Sequence, residues 1–259
     1  MKFSCCVGLN AEKLKTLNKV GCKYFEPSVE AVFSASQEDY ESFLSLKNEF
    51  GMEAVAANGM FPGRIGLLRG KECYSEVSEY LDNAFARCQK LGIPVGILGS
   101  GKAREIPEGM SKEEAFERFS ALLSDVVSPY AKKYGIIIGI EELRSEECSF
   151  INSCREAMEL IRAVNLPNIK LLVDYYHAML GGDTLEELES YGDNIVHVHI
   201  ASPKNNRNVP AYDDLEDCRT FFAMLQRINY KGGISLEGRF GDDFEASLKT
   251  ALEVMTKAL

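Results

Sequence analysis

The chain has 259 residues, 46% hydrophobic and 26% charged, long enough to bury a large core. Its 39 acidic residues outnumber its 29 basic ones for a net charge of −10, the wrong sign for gripping nucleic acid or an anionic membrane through phosphates. No apolar run approaches the ~20 residues of a membrane span, and the stretch Met1–Lys15 turns polar too early for a signal peptide, so one cytoplasmic domain over 1–259 is expected.

Short apolar runs alternate with helical patterns from end to end. The predicted strands are Phe3–Val7, Lys23–Glu26, Glu53–Ala56, Val95–Leu98, Ile136–Ile140, Lys170–Asp174, Ile195–Ile200 and Ile234–Glu237. The predicted helices are Ala11–Lys19, Glu38–Phe50, Tyr74–Leu91, Lys112–Tyr134, Cys154–Val164, Thr184–Tyr191, Asp214–Ile228 and Phe244–Ala258. Ser36, Ser111, Asp183 and Asp213 read as N-caps, and Gly21, Gly51, Gly92 and Gly135 as stops. Eight β-then-α units demand a parallel sheet covered by helices, and at this length they fit a closed (β/α)8 TIM barrel. An open dinucleotide-binding sheet would carry more glycines in the first turn than Val7-Gly8-Leu9-Asn10 does. The eight cysteines contain no C-x-x-C pair and read as buried thiols in a reducing compartment, with Cys5 and Cys6 on opposite faces of their strand.

Long connections follow strand 3 (Asn58–Arg69), strand 4 (Gly99–Gly109) and strand 7 (Ala201–Tyr212). Long ordered loops tend to be functional, and these sit at the barrel mouth, where active sites are built.

The last four strands each close an apolar run on a polar residue: Glu141, Asp174, His199 and Glu237. Consecutive strand ends converge at the mouth. Carboxylates brought so close repel unless protonated or neutralised, and a divalent cation neutralises them. Three carboxylates and an imidazole suit Mn²⁺, Mg²⁺, Co²⁺ or Zn²⁺, with Mn²⁺ preferred. The period of two puts His197 and His199 on the inner face of strand 7, with Val196, Val198 and Ile200 toward the helices. His197, one layer deeper, reads as a hydrogen-bonded core histidine. His177 is placed at the rim, within reach of a substrate oxygen. Arg207 and Glu147 each read either as substrate contacts or as solvated loop residues. Phe61, Arg64, Tyr175 and Tyr176 are candidate pocket walls or simple packing and surface residues.

The segments Ile-Glu141-Glu-Leu, Leu-Leu-Val-Asp174-Tyr-Tyr-His177, His197-Val-His199-Ile and Ser-Leu-Glu237 resemble the xylose isomerase-like TIM barrels. Within that group the resemblance is to the sugar phosphate isomerase/epimerase branch that includes the ketose 3-epimerases. It covers essentially the whole chain, including Pro62-Gly63 and Gly99-Ser-Gly101. It implies that Glu141 and Glu237 are catalytic as well as metal ligands, that Asp174 and His199 complete the metal set, and that His177, Glu147 and Arg207 touch substrate. It also implies a metal-stabilised enediolate and a small-molecule sugar as partner; homo-oligomers are common in the group. Three stretches depart from the family pattern: Glu-Glu-Leu-Arg144 replaces Glu-Pro-Leu-Asn, Ser202 stands where an acid is usual, and Val-Pro-Ala-Tyr follows Arg207 and Asn208 where a Pro-Gly pair is usual. A multi-zinc endonuclease on this barrel needs more than the three histidines present. A metal-dependent lyase or dehydratase, and a non-catalytic carbohydrate-binding barrel, stand as alternatives. Lys102, Arg104, Lys204 and Arg207 are candidate phosphate contacts, although no glycine-rich cradle accompanies them.

Overall fold

A computed structural model describes all residues 1–259. Eight parallel strands line up in chain order: β1 (Lys2–Cys5), β2 (Tyr24–Phe25), β3 (Glu53–Ala54), β4 (Val95–Leu98), β5 (Ile137–Glu141), β6 (Ile169–Asp174), β7 (Ile195–Ile200) and β8 (Gly233–Leu236). A continuous ladder runs β4-β5-β6-β7-β8-β1, and β2 pairs with β3. Single bridges close the ring: Cys6 with Glu26 between the first two strands, and Ala57 with Gly96 between the third and fourth. The architecture is the TIM barrel expected from the eight β-then-α units.

The helices bury one face on the outside of the strands. The helix Cys154–Val164 packs inward through Ala157, Met158, Leu160 and Ile161, at the i, i+3, i+4 spacing that an amphipathic helix requires. The run Lys112–Tyr134 is continuous but contains a π-type turn at Leu123–Val127 just ahead of Pro129. Proline has no N–H to return to residue 125, and a wider turn there absorbs the missing bond. Gly92 and Gly135 end their helices in the left-handed region (φ 76° and 68°), as C′ glycines do.

Several expectations are corrected. Ser36 and Ser111 cap their helices, but Asp183 and Asp213 do not. Thr184 caps Leu185–Tyr191, while Asp183 Oδ2 accepts the backbone N–H of Cys154. Asp214, not Asp213, receives the Ala211 N–H as a short 3₁₀ turn leads into Leu215–Arg227. Two short helices, Val29–Ser34 and Tyr175–Gly181, lie outside the predicted set.

Strand β7 also departs from strict alternation. Its register with β6 slips between Leu171 and Leu172, which face Ile195 and His197. The extra residue, Val196, turns inward. It packs on the small inner cluster of Ala56, Val95, Ile97 and Leu172, while Val198 and Ile200 join the outer core as expected. Arg104 and Lys204 are not arranged to meet a phosphate. Arg104 is fully buried, donating to the carbonyls of Leu98 and Ile151, and Lys204 pairs with Asp217 on the surface. All eight cysteines are free thiols. No helix is long and apolar enough to cross a membrane.

Candidate active site

At the C-terminal end of the barrel, ligand atoms of Glu141, Asp174, His199 and Glu237 all lie within 4.8 Å of one another. One comes from each of four successive strand ends, β5 to β8. His199 Nδ1 is the centre of the group, 3.2 Å from Glu141 Oε1 and 3.4 Å from Glu237 Oε2.

Each side chain is held by a specific partner. Asp174 does two jobs: its Oδ1 accepts the N–H groups of Tyr176 and His177, capping Tyr175–Gly181, while Oδ2 faces the cluster without a hydrogen-bond donor. Its own N–H donates to Glu142 Oε1 beneath it, at 2.9 Å. Glu237 Oε1 accepts from the Asn58 amide at 2.8 Å, and Oε2 from Arg207 Nη2 at 2.8 Å. Glu141 needs an empty neighbour. A Cβ on Gly99, at the end of β4, would stand 1.9 Å from Glu141 Oε2. The other nitrogen of His199, Nε2, is 2.9 Å from Glu26 Oε1, and Glu26 Oε2 is 2.8 Å from His197 Nε2. Ser235 Oγ also lies 2.9 Å from that nitrogen and is hydrogen-bonded to Ser4.

The charges perturb one another strongly. Burial, then the charges of Glu237 and Glu141, push Asp174 up to about 7. Burial and the Glu237 charge likewise raise Glu141. Burial acts to raise Glu237 too, but His199 and Arg207 outweigh it and hold the group down to about 2. Burial opposes a charge on His199, yet Glu237 and Glu26 keep its proton well above the usual range. Glu26 is buried and still lies below the usual carboxylate range, because two imidazoles face it.

The rim carries the remaining candidates. Arg207 Nη1 reaches Glu147 Oε2 at 3.3 Å, and Arg144 reaches Glu147 Oε1 at 3.1 Å. Both guanidiniums lie over the Tyr176 ring, at 5.2 and 5.0 Å. Arg207 sits in the left-handed region (φ 61°), directly after Asn206 (φ 55°), a backbone cost that the loop offsets elsewhere. Ser202 Oγ donates to Asp214 and accepts the Asn205 N–H, while Arg207 O accepts from the Arg239 N–H. Thus Ser202 builds the loop that presents Arg207. The His177 side chain is buried, with neither ring nitrogen hydrogen-bonded, and Nε2 points between Asp174 Oδ2 (3.7 Å) and Glu147 Oε2 (3.9 Å). Burial and then Arg207 lower it to about 4, so the ring is neutral at neutral pH.

The structure therefore brings together Glu141, Asp174, His199, Glu237, His177, Glu147 and Arg207. Phe61 is buried, its ring 5.5 Å from that of Tyr80 and its N–H on Ser100 Oγ, one residue past the Gly99 that makes room for Glu141. Tyr175 packs on Phe221 in the outer core, and only Tyr176 of the pair faces the rim. The strand-end reading missed Glu26, although Glu26 closes its own predicted strand and the same rule applied there would have found it. Asn58, Glu142 and Gly99 carry no such signal.

Residues 14–258 match the family described as Xylose isomerase-like TIM barrel. The chain belongs to this family. A relative named probable ketose 3-epimerase, from Synechocystis sp., is 24% identical over 211 residues, 78% of this chain and 69% of its own. The 3-dehydro-D-guloside 4-epimerase of Escherichia coli K12 is 25% identical over 235 residues, 88% of this chain and 86% of its own. A solved D-allulose 3-epimerase from Methylomonas sp. superposes with a TM-score of 0.86 at 19% identity, covering 100% of this chain and 98% of that one. Within this xylose isomerase-like family the chain is an isomerase-type enzyme.

Proposed function

We propose that the protein is a divalent-metal-dependent sugar epimerase or isomerase that moves a proton α to a carbonyl. The observation that carries this reading is the quartet of ligand atoms from four successive strand ends, two of them glutamates flanking one imidazole nitrogen. The donor set fits an ion. Three hard oxygens and one nitrogen suit Mn²⁺, Mg²⁺, Co²⁺ or Zn²⁺, and the buried Asp174 Oδ2, with no hydrogen-bond donor and only the Arg207 guanidinium at 3.5 Å, is an atom that a cation would satisfy.

Glu141, Asp174, His199 and Glu237 would hold the ion, which when bound supplies Lewis-acid stabilisation of negative charge on substrate oxygens. The proton work falls to the two glutamates. One takes the proton from the carbon beside the carbonyl, and the resulting enediolate is reprotonated by the other from the opposite side, which inverts the carbon. Delivery to the neighbouring carbon gives aldose–ketose isomerisation instead. Asn58 and Arg207 fix both oxygens of Glu237, so its approach to substrate is set in advance. His177, Glu147 and Arg207 orient the hydroxyls above it, on the Tyr176 platform. Phe61, buried beside Tyr80 in the loop that carries Asn58, would give the substrate an apolar wall and takes no part in the proton steps.

Charge argues for an unphosphorylated sugar or sugar derivative. The four mouth carboxylates, Glu141, Asp174, Glu237 and Glu147, are balanced by Arg144, Arg207 and one divalent ion. That leaves neither arginine in surplus for a phosphate.

The test is solvent deuterium entering a panel of ketoses. Glu141→Gln and Glu237→Gln should each lose at least about 100-fold in exchange. Undiminished exchange in both variants would refute the assignment. Product mass separates the classes: an isomer of equal mass supports the reading, and loss of water indicates a dehydratase.

A further inference from the structure

We propose that Glu26, pinned by His197, is a positioning residue that holds the proton of His199 on Nε2, so that Nδ1 is the atom offered to the ion. The proposal rests on the reading of the strand-end quartet as a metal site.

Glu26 is fully buried, and each of its oxygens faces one imidazole, Oε1 the Nε2 of His199 and Oε2 the Nε2 of His197. An ionised carboxylate only accepts hydrogen bonds, so both Nε2 atoms donate to it. The deeper imidazole keeps the carboxylate from turning. His197 Nδ1 is buried with no partner, so a proton there would be an unpaired donor. Its proton therefore stays on Nε2, aimed at Glu26. Gly233 makes the room: a Cβ there would stand 2.9 Å from His197 Cε1. With its Nε2 proton claimed by Glu26, His199 can give up only the Nδ1 proton when an ion arrives. A partner carboxylate on the remote nitrogen of a ligand histidine fixes its tautomer and orientation in this way.

Glutamine at position 26 exposes the logic. Its amide presents one acceptor and one donor to two imidazoles that both donate. Either His199 shifts its proton to Nδ1, toward the carboxylates, or His197 buries an unpaired Nδ1 proton. The Glu26→Gln variant should bind Mn²⁺ 10–100-fold more weakly by calorimetry. The double variant Glu26→Gln/His197→Gln should recover most of that loss. In it, the amide oxygen at position 197 can accept the amide N–H at position 26, which leaves the amide oxygen at position 26 for His199.

The decisive readout needs no variant. The chain has three histidines, so ¹⁵N-labelled imidazoles can be assigned in the ion-free and Zn²⁺-loaded protein. His199 Nε2 should carry a proton in both. Absence of that proton, parent-like ion affinity in Glu26→Gln, or failure of the double variant to recover affinity overturns the proposal. Failure of the parent to bind any divalent ion overturns the metal reading instead, and in the ion-free protein a downfield His199 Nε2 proton that moves upfield in Glu26→Gln still decides whether Glu26 holds it.

Discussion

Replacing Gly99 with alanine tests whether the Glu141 carboxylate must be where it is. The new methyl group would stand 1.9 Å from Oε2 and 3.0 Å from Cδ of Glu141. To restore ordinary contact near 3.4 Å the oxygen must retreat by about 1.5 Å. Glutamate is flexible at its far end, so the fold has an inexpensive way out. The overpacking cost should fall near the lower limit for such changes, about 1 kcal/mol, or roughly 2–4 °C in Tm. The site has no such escape. A displacement of that size moves Oε1 away from His199 Nδ1, and misplacement by 1 Å costs on the order of 100-fold in rate. Gly99→Ala should therefore remain folded, bind Mn²⁺ more weakly and lose about two orders of magnitude in deuterium exchange. Thermal denaturation, calorimetry and the exchange assay measure the three quantities separately. Parent-like ion affinity and exchange would show that the position of Glu141 is not critical, and the assignment of its role would fall.

Asp174, raised to about 7, is protonated in the ion-free protein below that pH, and an ion must displace the proton. Ion binding should release two protons below pH 7, from Asp174 and from His199 Nδ1, and one above it, so affinity for Mn²⁺ should fall about a hundredfold per unit as pH drops below 7 and about tenfold per unit above it; calorimetry in two buffers of different ionisation enthalpy checks it. The same shift gives the sign for stability. The native state binds this proton more tightly than the unfolded chain, so this group's contribution to stability declines as pH rises from the ordinary carboxylate range to 7. Asp174→Asn keeps an oxygen for the Tyr176 and His177 N–H groups and should lose ion binding while staying folded; Asp174→Ala should cost a further ~1 kcal/mol in denaturant titration because the cap goes too. His177→Ala should raise KM at least about tenfold and leave ion affinity near parent, and because the ring is already neutral above pH 5, the pH–rate profile between 6 and 8 should not move.

The sequence placed all eight strands and the four strand-end residues that the structure brings together because both leave local marks. An apolar run closed by one polar residue is such a mark, and it works best where burial on both faces keeps the rest of the strand uniformly apolar. The support around the ligands is less legible. Glu142 and Asn58 are set by contacts across the barrel, and such contacts have no period along the chain. Gly99 looks like any loop glycine until Glu141 is placed beside it. The caps at Thr184 and Asp214 fell one residue from the expected ones, because Asp183 serves Cys154 instead and a 3₁₀ turn precedes the later helix. Val196 turned inward through a register slip that alternation alone cannot foresee. Arg207 was legible as a residue but not as a position. What delivers it is the bond of Ser202 to Asp214 and two successive left-handed residues.

The uneven closure of the barrel has a mechanical consequence. Strands β4 to β8 and β1 share a continuous ladder, whereas β2 and β3 join it through single bridges. From this thinly laced side, Glu26 reaches over to His199 and Asn58 to Glu237. The seam, held by two backbone hydrogen bonds on each side, is thus stitched also through side chains of the strand-end quartet. Anything that steadies the ligands steadies the seam, and by reciprocity anything that loosens the seam loosens the grip on an ion. Hydrogen exchange at Tyr24–Phe25 and Glu53–Ala54 should then slow on adding Mn²⁺, although no atom of those strands touches the quartet.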